Sequence, residues 1–150
     1  MNHPDPPASG RIAAALIDVG GTLIECRPSP SAVYARVLSR WGPRVHEDAV
    51  APVFRRVWTE MTQEHPAGLD RYQHLKGGER EWWGRFLERV LVDLDHPALA
   101  PSVLDDLFEA FAEPALWHVF PEVPAPYSVA TSSGASVACT QDAGTAVTTV

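Results

Sequence analysis

The sequence predicts an α/β fold in which a buried strand leads into a glycine-rich loop and four amphipathic helices follow. Six apolar residues, from Ile12 to Ile17, run directly into Asp18, and two glycines and a threonine come soon after it. An apolar run of this length, bounded by turn-forming residues, is typical of a strand buried in a parallel sheet. Apolar residues then recur at helical spacing as far as residue 112. We therefore expect a strand-based core with a helical unit inserted after its first strand.

Asp18 marks the candidate site, because ligands of open parallel sheets bind beyond the carboxyl ends of the strands. A carboxylate at that point can attack an electrophile or hold a metal ion. Gly20 and Gly21 let backbone N–H groups approach an anion closely. An ordinary strand with a tight turn capped by Asp18 is the alternative, since short glycine motifs also occur by chance.

Four amphipathic helices are predicted over residues 29–113, joined by short turns into an antiparallel bundle. Ser29 and Pro30 provide an N-cap and a first-turn proline for the first helix, and Gly42 provides its end. Pro101 opens the fourth helix. The tryptophans and phenylalanines on the apolar faces are expected to form the core of this bundle rather than a stacking platform.

The composition limits the possible partners of the chain. Its 150 residues carry a net charge of -7 with only 12 basic residues, and Lys76 is the single lysine. This balance argues against a nucleic-acid surface or a polybasic membrane patch. Cys26 and Cys139 form no spacing motif, as expected of reduced thiols. With no run of eighteen apolar residues and no signal-peptide core, we expect a disordered leader over residues 1–10 and a cytoplasmic protein. The oligomeric state is left open.

The composition changes abruptly after Tyr127, where leucine, lysine and arginine no longer occur. Only the segment Ser136–Cys139 indicates a short strand there. We divide the chain into the first core strand and loop at 11–28, the helical unit at 29–113, and a return segment with an incomplete or disordered core at 114–150. We interpret the end of the chain as truncated, frame-shifted or eroded.

The strand ending in Asp-x-x-Gly-Thr-Leu, followed by a helical insertion, resembles the haloacid dehalogenase (HAD) superfamily of hydrolases. The similarity is to its phosphatase-like branch, which has a helical cap inserted after the first strand. Asp18 falls on the nucleophile of that family, and residues 21–23 fall on its loop. The resemblance covers residues 11–126 and includes the segments at 80–83 and 117–121.

This resemblance implies a HAD-like Rossmannoid core with a four-helix cap and Mg²⁺-dependent transfer of a phosphoryl group from a small phosphorylated metabolite. Asp18 would attack phosphorus and form an acyl phosphate, which divides one hard displacement into two easier ones. A carboxylate oxygen of Asp18 and the backbone carbonyl of Gly20 would ligate Mg²⁺. Gly21, Thr22 and Thr140 would bind the phosphate.

The chain departs from the pattern of the family at two places. Gly20 replaces a second aspartate that protonates the leaving group and activates water, and such a group contributes about 10² to 10⁴ in rate. Phosphonate-cleaving relatives also lack it and use a cap lysine, for which Lys76 is the only candidate. Later in its core the family also has a lysine and then an acidic pair of metal ligands. In this chain no lysine follows Lys76, and Asp142 stands alone. These departures predict a poor enzyme or none.

Two other interpretations remain open. The sequence D-x-G-G-T also resembles the first phosphate loop of the sugar kinase and actin-like ATPase superfamily. That fold continues from the loop into a β-hairpin, whereas Ser29 and Pro30 predict a helix here. Alternatively, the chain is a non-catalytic helical fragment, an interpretation that the missing lysine and acidic pair favour.

Overall fold

The computed structural model describes residues 14–65, 70–96, 101–123, 136–141 and 144–149. The predicted leader over residues 1–10 and Asp142 lie outside these ranges. The elements in chain order are β1 (Ala14–Asp18), β2 (Ile24–Cys26), α1 (Pro30–Trp41), α2 (Glu47–Gln63), α3 (Gly78–Asp93), α4 (Ser102–Ala112), a 3₁₀ turn (Pro114–Leu116), β3 (Trp117–Val119), β4 (Ser136–Gln141) and β5 (Gly144–Thr149). The described chain is predominantly helical, as predicted.

The four predicted helices are confirmed, and the first begins as its sequence indicates. The Ser29 side chain accepts a hydrogen bond from the backbone N–H of Ala32 at 3.2 Å, and Pro30 occupies the first turn. Both residues suit a helix start, because the cap satisfies an orphan N–H and proline has none to satisfy. None of the helices in the described ranges is long and apolar enough to cross a membrane.

The core of the molecule lies among the four helices. Helix α1 packs against α2 and α4, and α3 packs against the same two helices, so the contacts close into a ring. Phe86 is fully buried at its centre, with its ring centroid 4.9 Å from that of Phe54 and stacked on Trp82 at 5.8 Å. The prediction that aromatic residues form the core is confirmed for Trp82 and Phe86, whereas Trp58 and Trp83 stay partly exposed.

Strand β1 is paired with the later part of the chain, where the sequence indicated one short strand in an incomplete or disordered core. It pairs in parallel with β4, and β5 joins the far side of β4 in antiparallel orientation. The strand indicated at Ser136–Cys139 is confirmed, but β5 was missed. Leucine, lysine and arginine are absent there, yet valine and threonine are β-branched and favour strands. The change in composition after Tyr127 therefore does not exclude strands.

A second, two-stranded sheet joins the entry and the exit of the helical unit. Strand β2 precedes α1, β3 follows α4, and the two pair in antiparallel register with Glu25 opposite His118. The backbone N–H of Phe120 also donates to the carbonyl of Leu23 at 3.0 Å. Within residues 14–65, β2 leads into α1 rather than into the hairpin expected of the kinase-like interpretation.

Candidate active site

The loop after β1 is a tight turn organised around one carbonyl. The Val19 carbonyl accepts the backbone N–H groups of Thr22, Leu23 and Ile24 at 3.3, 2.9 and 3.1 Å. Gly21 has φ +77°, a left-handed conformation that favours glycine because it has no Cβ. The sequence motif therefore has a local structural reason as well as a possible chemical one.

Asp18 lies at the carboxyl end of β1, with an exposed side chain. The Thr22 hydroxyl donates to its Oδ2 at 3.0 Å, which fixes the orientation of the carboxylate. Parallel pairing places Thr140 directly opposite Asp18 on β4. The fold thus brings Thr140 beside the loop that holds Asp18, Gly20, Gly21 and Thr22, although 118 positions of chain, from 22 to 140, separate it from that loop.

The phosphate-binding role of the loop stays a prediction. In this conformation the Gly21 N–H donates to the Ile24 carbonyl at 2.8 Å, and the Thr22 N–H donates to Val19. A phosphate bound by these two amides would therefore require the turn to rearrange. The Thr22 hydroxyl can reach a ligand beside Asp18 without that change, because it rotates about a single bond.

A cavity of about 950 Å³ extends from Asp18 and Gly20 to the helical unit. This cavity is termed the Asp18 pocket. Its volume lies within the range of about 300 to 1,000 Å³ that is usual for small-molecule sites. Its charged lining consists of Asp18, Arg55, Arg71 and Glu79. Its apolar lining includes Trp58, Tyr72, Trp83, Phe108, Phe111 and Trp117.

Two arginines bring positive charge to the Asp18 pocket, and sequence reasoning missed both. Arg55 lies exposed on α2 and forms no ion pair with any described residue, whereas its neighbour Arg56 pairs with Asp93 at 2.8 Å. The guanidinium of Arg71 lies 5.3 Å from the ring centroid of Trp58, a cation–π distance. The sequence places no acidic residue three or four positions from Arg55 on its helix, and this was the one available signal. Arginines without such a partner are too common for this signal to identify a site.

Tyr72 and Glu79 form the polar part of the aromatic wall. Burial raises the pKa of Tyr72, and the nearby Glu79 carboxylate raises it further, so this phenol is neutral at physiological pH. The Trp83 Nε1–H donates to Glu79 Oε1 at 3.3 Å. Lys76, considered above as a Schiff-base residue, is exposed and is not among the residues that line the Asp18 pocket.

The donor set at Asp18 suits Mg²⁺ only in combination with a phosphate ligand. In the ranges that the structure describes, no three or more His, Cys, Asp or Glu side chains gather as a metal site. Asp18 offers one carboxylate and Gly20 one backbone carbonyl. Magnesium is commonly held by one or two carboxylates, several waters and substrate phosphate oxygens, which is the pattern this set permits.

Comparison with known proteins adds no relative to this description. No protein-family model matches the chain, and a search of curated proteins finds no similar sequence.

Proposed function

We propose that this chain is a slow HAD-like hydrolase that transfers the phosphoryl group of a small phosphorylated metabolite to Asp18. One observation carries the proposal: an exposed carboxylate at the end of a parallel-paired strand opens onto a pocket that also contains two arginines. Cys26 is free, and the two cysteines of the chain form no spacing motif, which supports a reducing, cytoplasmic location.

Asp18 acts as the nucleophile in the first step. A carboxylate oxygen forms a bond to phosphorus, and the bond from phosphorus to the leaving oxygen breaks, with the electron pair departing on that oxygen. The Thr22 hydroxyl holds the other carboxylate oxygen, so that the attacking oxygen is oriented before substrate binds. Water then hydrolyses the acyl phosphate, releases inorganic phosphate and restores the carboxylate.

Positive charge is required because the carboxylate and the phosphate repel each other. Mg²⁺, when bound by Asp18 and the Gly20 carbonyl, would supply part of that charge. Arg55 and Arg71 supply the rest from the helical side of the pocket. The family has a lysine in the later part of its core, and no lysine follows Lys76 in this chain. Arginine suits this role because its planar guanidinium binds phosphate through two hydrogen bonds.

Gly20 makes the second step slow. A general base would activate the water that attacks the acyl phosphate, and its absence costs about 10² to 10⁴ in rate. The first step is less affected when the leaving group is a stable anion, because such a group needs no proton. We therefore expect phosphorylated Asp18 to accumulate.

Pre-steady-state kinetics with 4-nitrophenyl phosphate and Mg²⁺ test this function. We expect a burst of nitrophenolate close to one equivalent per chain, followed by slow turnover. Asp18→Asn removes the burst, whereas Asp48→Asn, which changes an exposed aspartate outside the pocket lining, retains it. A folded wild-type chain without a burst, or a burst that persists in Asp18→Asn, contradicts the proposal. The former result favours the non-catalytic helical fragment.

A further inference from the structure

The wall of the Asp18 pocket is unusually aromatic for a site that handles only phosphate. Trp58 on α2 and Trp83 on α3 lie with their ring centroids 5.9 Å apart and their planes 32° from each other. Both line the pocket and both stay partly exposed, whereas their neighbours Trp82 and Phe86 are buried in the core. The Arg71 guanidinium lies 5.3 Å from the Trp58 centroid, and the parts of both rings that stay exposed border the pocket. Aromatic side chains that stay partly exposed in a concave site are typical of ligand contacts.

The size of the pocket also indicates more than a phosphate. A cavity of about 950 Å³ accommodates a drug-sized molecule, so a phosphate ester with a short alkyl group would leave most of it filled with water. The charged groups Asp18 and Arg55 account for recognition of the metal and the phosphate, but they do not explain the wall made by Trp58 and Trp83.

The chemistry of the loop supports the same type of ligand independently. Gly20 offers no acid to protonate a departing oxygen. An alkoxide is a poor leaving group without such an acid, since its conjugate acid is about as weak as water, with a pKa near 15.7. A phenolate is far more stable, since a phenol has a pKa of about 10. The site therefore suits an ester whose leaving group departs as an anion.

We infer that the Asp18 pocket binds aryl phosphates, with the aromatic group against Trp58 and Trp83 and the phosphate between Asp18 and Arg55. This inference rests on the proposed function for its reaction but not for its binding. In the reaction, the bond from phosphorus to the aryl oxygen breaks as the bond to Asp18 forms. The phenolate leaves with the electron pair and takes its proton from water.

Titration calorimetry with phenyl phosphate and ethyl phosphate, both in the presence of Mg²⁺, tests the inference. The Asp18→Asn variant is used because it cannot consume the ligand. Loss of the carboxylate weakens the metal site equally for both esters, so the ratio of their dissociation constants still reports the contribution of the aromatic group. We expect phenyl phosphate to bind at least about tenfold more tightly than ethyl phosphate, since contact with the partly exposed rings of Trp58 and Trp83 and apolar burial both favour the phenyl group. Equal dissociation constants for the two esters would overturn the inference.

Substitutions added to the Asp18→Asn background locate the preference. Trp83→Leu should reduce the advantage of phenyl phosphate about tenfold, and Trp83→Phe should retain most of it because a ring remains. The matched control is Trp41→Leu, which removes a tryptophan that is 41% exposed and outside the pocket lining. If Trp83→Leu does not fold by circular dichroism, Trp58→Leu replaces it. A preference that survives removal of these rings contradicts the proposed position of the aryl group.

The calorimetry and the burst experiment test the aryl-binding inference and the proposed hydrolase function independently. A preference for phenyl phosphate without a burst in the wild-type chain keeps the aryl-binding inference and overturns the hydrolase. A burst without that preference keeps the hydrolase and overturns the inference.

Discussion

The helical unit and the loop after β1 differ in what their residues contribute. Among residues 17–65, 70–96 and 101–123, helices α1–α4 supply almost all of the buried apolar side chains, and Phe86 and Leu38 there are fully buried. The loop has the opposite character, because Asp18, Gly20, Gly21 and Thr22 are all exposed. Apolar burial over these ranges therefore lies mainly in the helices, and the candidate chemistry lies at the end of a strand.

This difference suggests that stability and activity can be changed independently. Substitutions in the helical core should change the free energy of unfolding without altering the carboxylate. Substitutions in the loop should change chemistry at little cost in stability, since exposed positions bury little apolar area. The Asp18 pocket is the exception, because residues of both regions line it.

The largest effect on stability is expected from Phe86→Ala. Phe86 is fully buried and its ring contacts those of Tyr34, Phe54 and Trp82. Its removal leaves a cavity, so urea denaturation followed by circular dichroism should show a loss of about 3 to 5 kcal/mol. Val92→Ala, at a position 75% exposed on the same helix, should change stability far less. Similar losses in both variants would contradict a core centred on Phe86.

A smaller effect, on chemistry alone, is expected from Arg55→Gln. Loss of its charge should slow the burst with 4-nitrophenyl phosphate about tenfold. The slowing should be smaller than for a buried charged group, because Arg55 is exposed and solvent screens its charge. Arg56→Gln removes the same charge from the next position of α2, where it pairs with Asp93 instead. Equal slowing in both variants would indicate a general charge effect rather than a site.

The smallest effect concerns alkaline pH and Tyr34. Burial raises the pKa of Tyr34 above its ordinary value of 10.0, so above that pH the unfolded chain loses a proton that the folded chain keeps. Stability should therefore fall as pH rises past 10, with this residue contributing up to about 1.4 kcal/mol per pH unit. Tyr34→Phe should flatten that part of the stability profile. An unchanged slope would show that the phenol is accessible to solvent in the folded state.

The helices were predictable because their signals are local. The cap at Ser29 and Pro30 and the apolar repeats of α1–α4 need no information from the rest of the chain. The tight turn at Gly21 was also predictable, because a backbone position in the left-handed conformation favours glycine. In contrast, the pairing of Asp18 with Thr140 and the presence of β5 depend on contacts between distant segments.

The wall of the Asp18 pocket was not predictable for the same reason. Trp58 and Trp83 occupy apolar helical positions like those of Trp82 and Phe86, and spacing alone does not distinguish a core ring from a pocket ring. Likewise, Arg55 and Arg56 are adjacent and chemically identical. Only the packing of the helices places Arg55 at the pocket and Arg56 beside Asp93.

Intact-mass measurement after acid quenching tests most directly whether the chemistry lies at Asp18. The wild-type chain, incubated with 4-nitrophenyl phosphate and Mg²⁺, should gain the mass of one phosphoryl group, and peptide mapping should locate it on Asp18. Asp18→Asn should fold with unchanged stability and gain no such mass. An adduct of equal yield in both chains, or phosphate release by a wild-type chain that never carries the adduct, would contradict an aspartyl nucleophile at the end of β1.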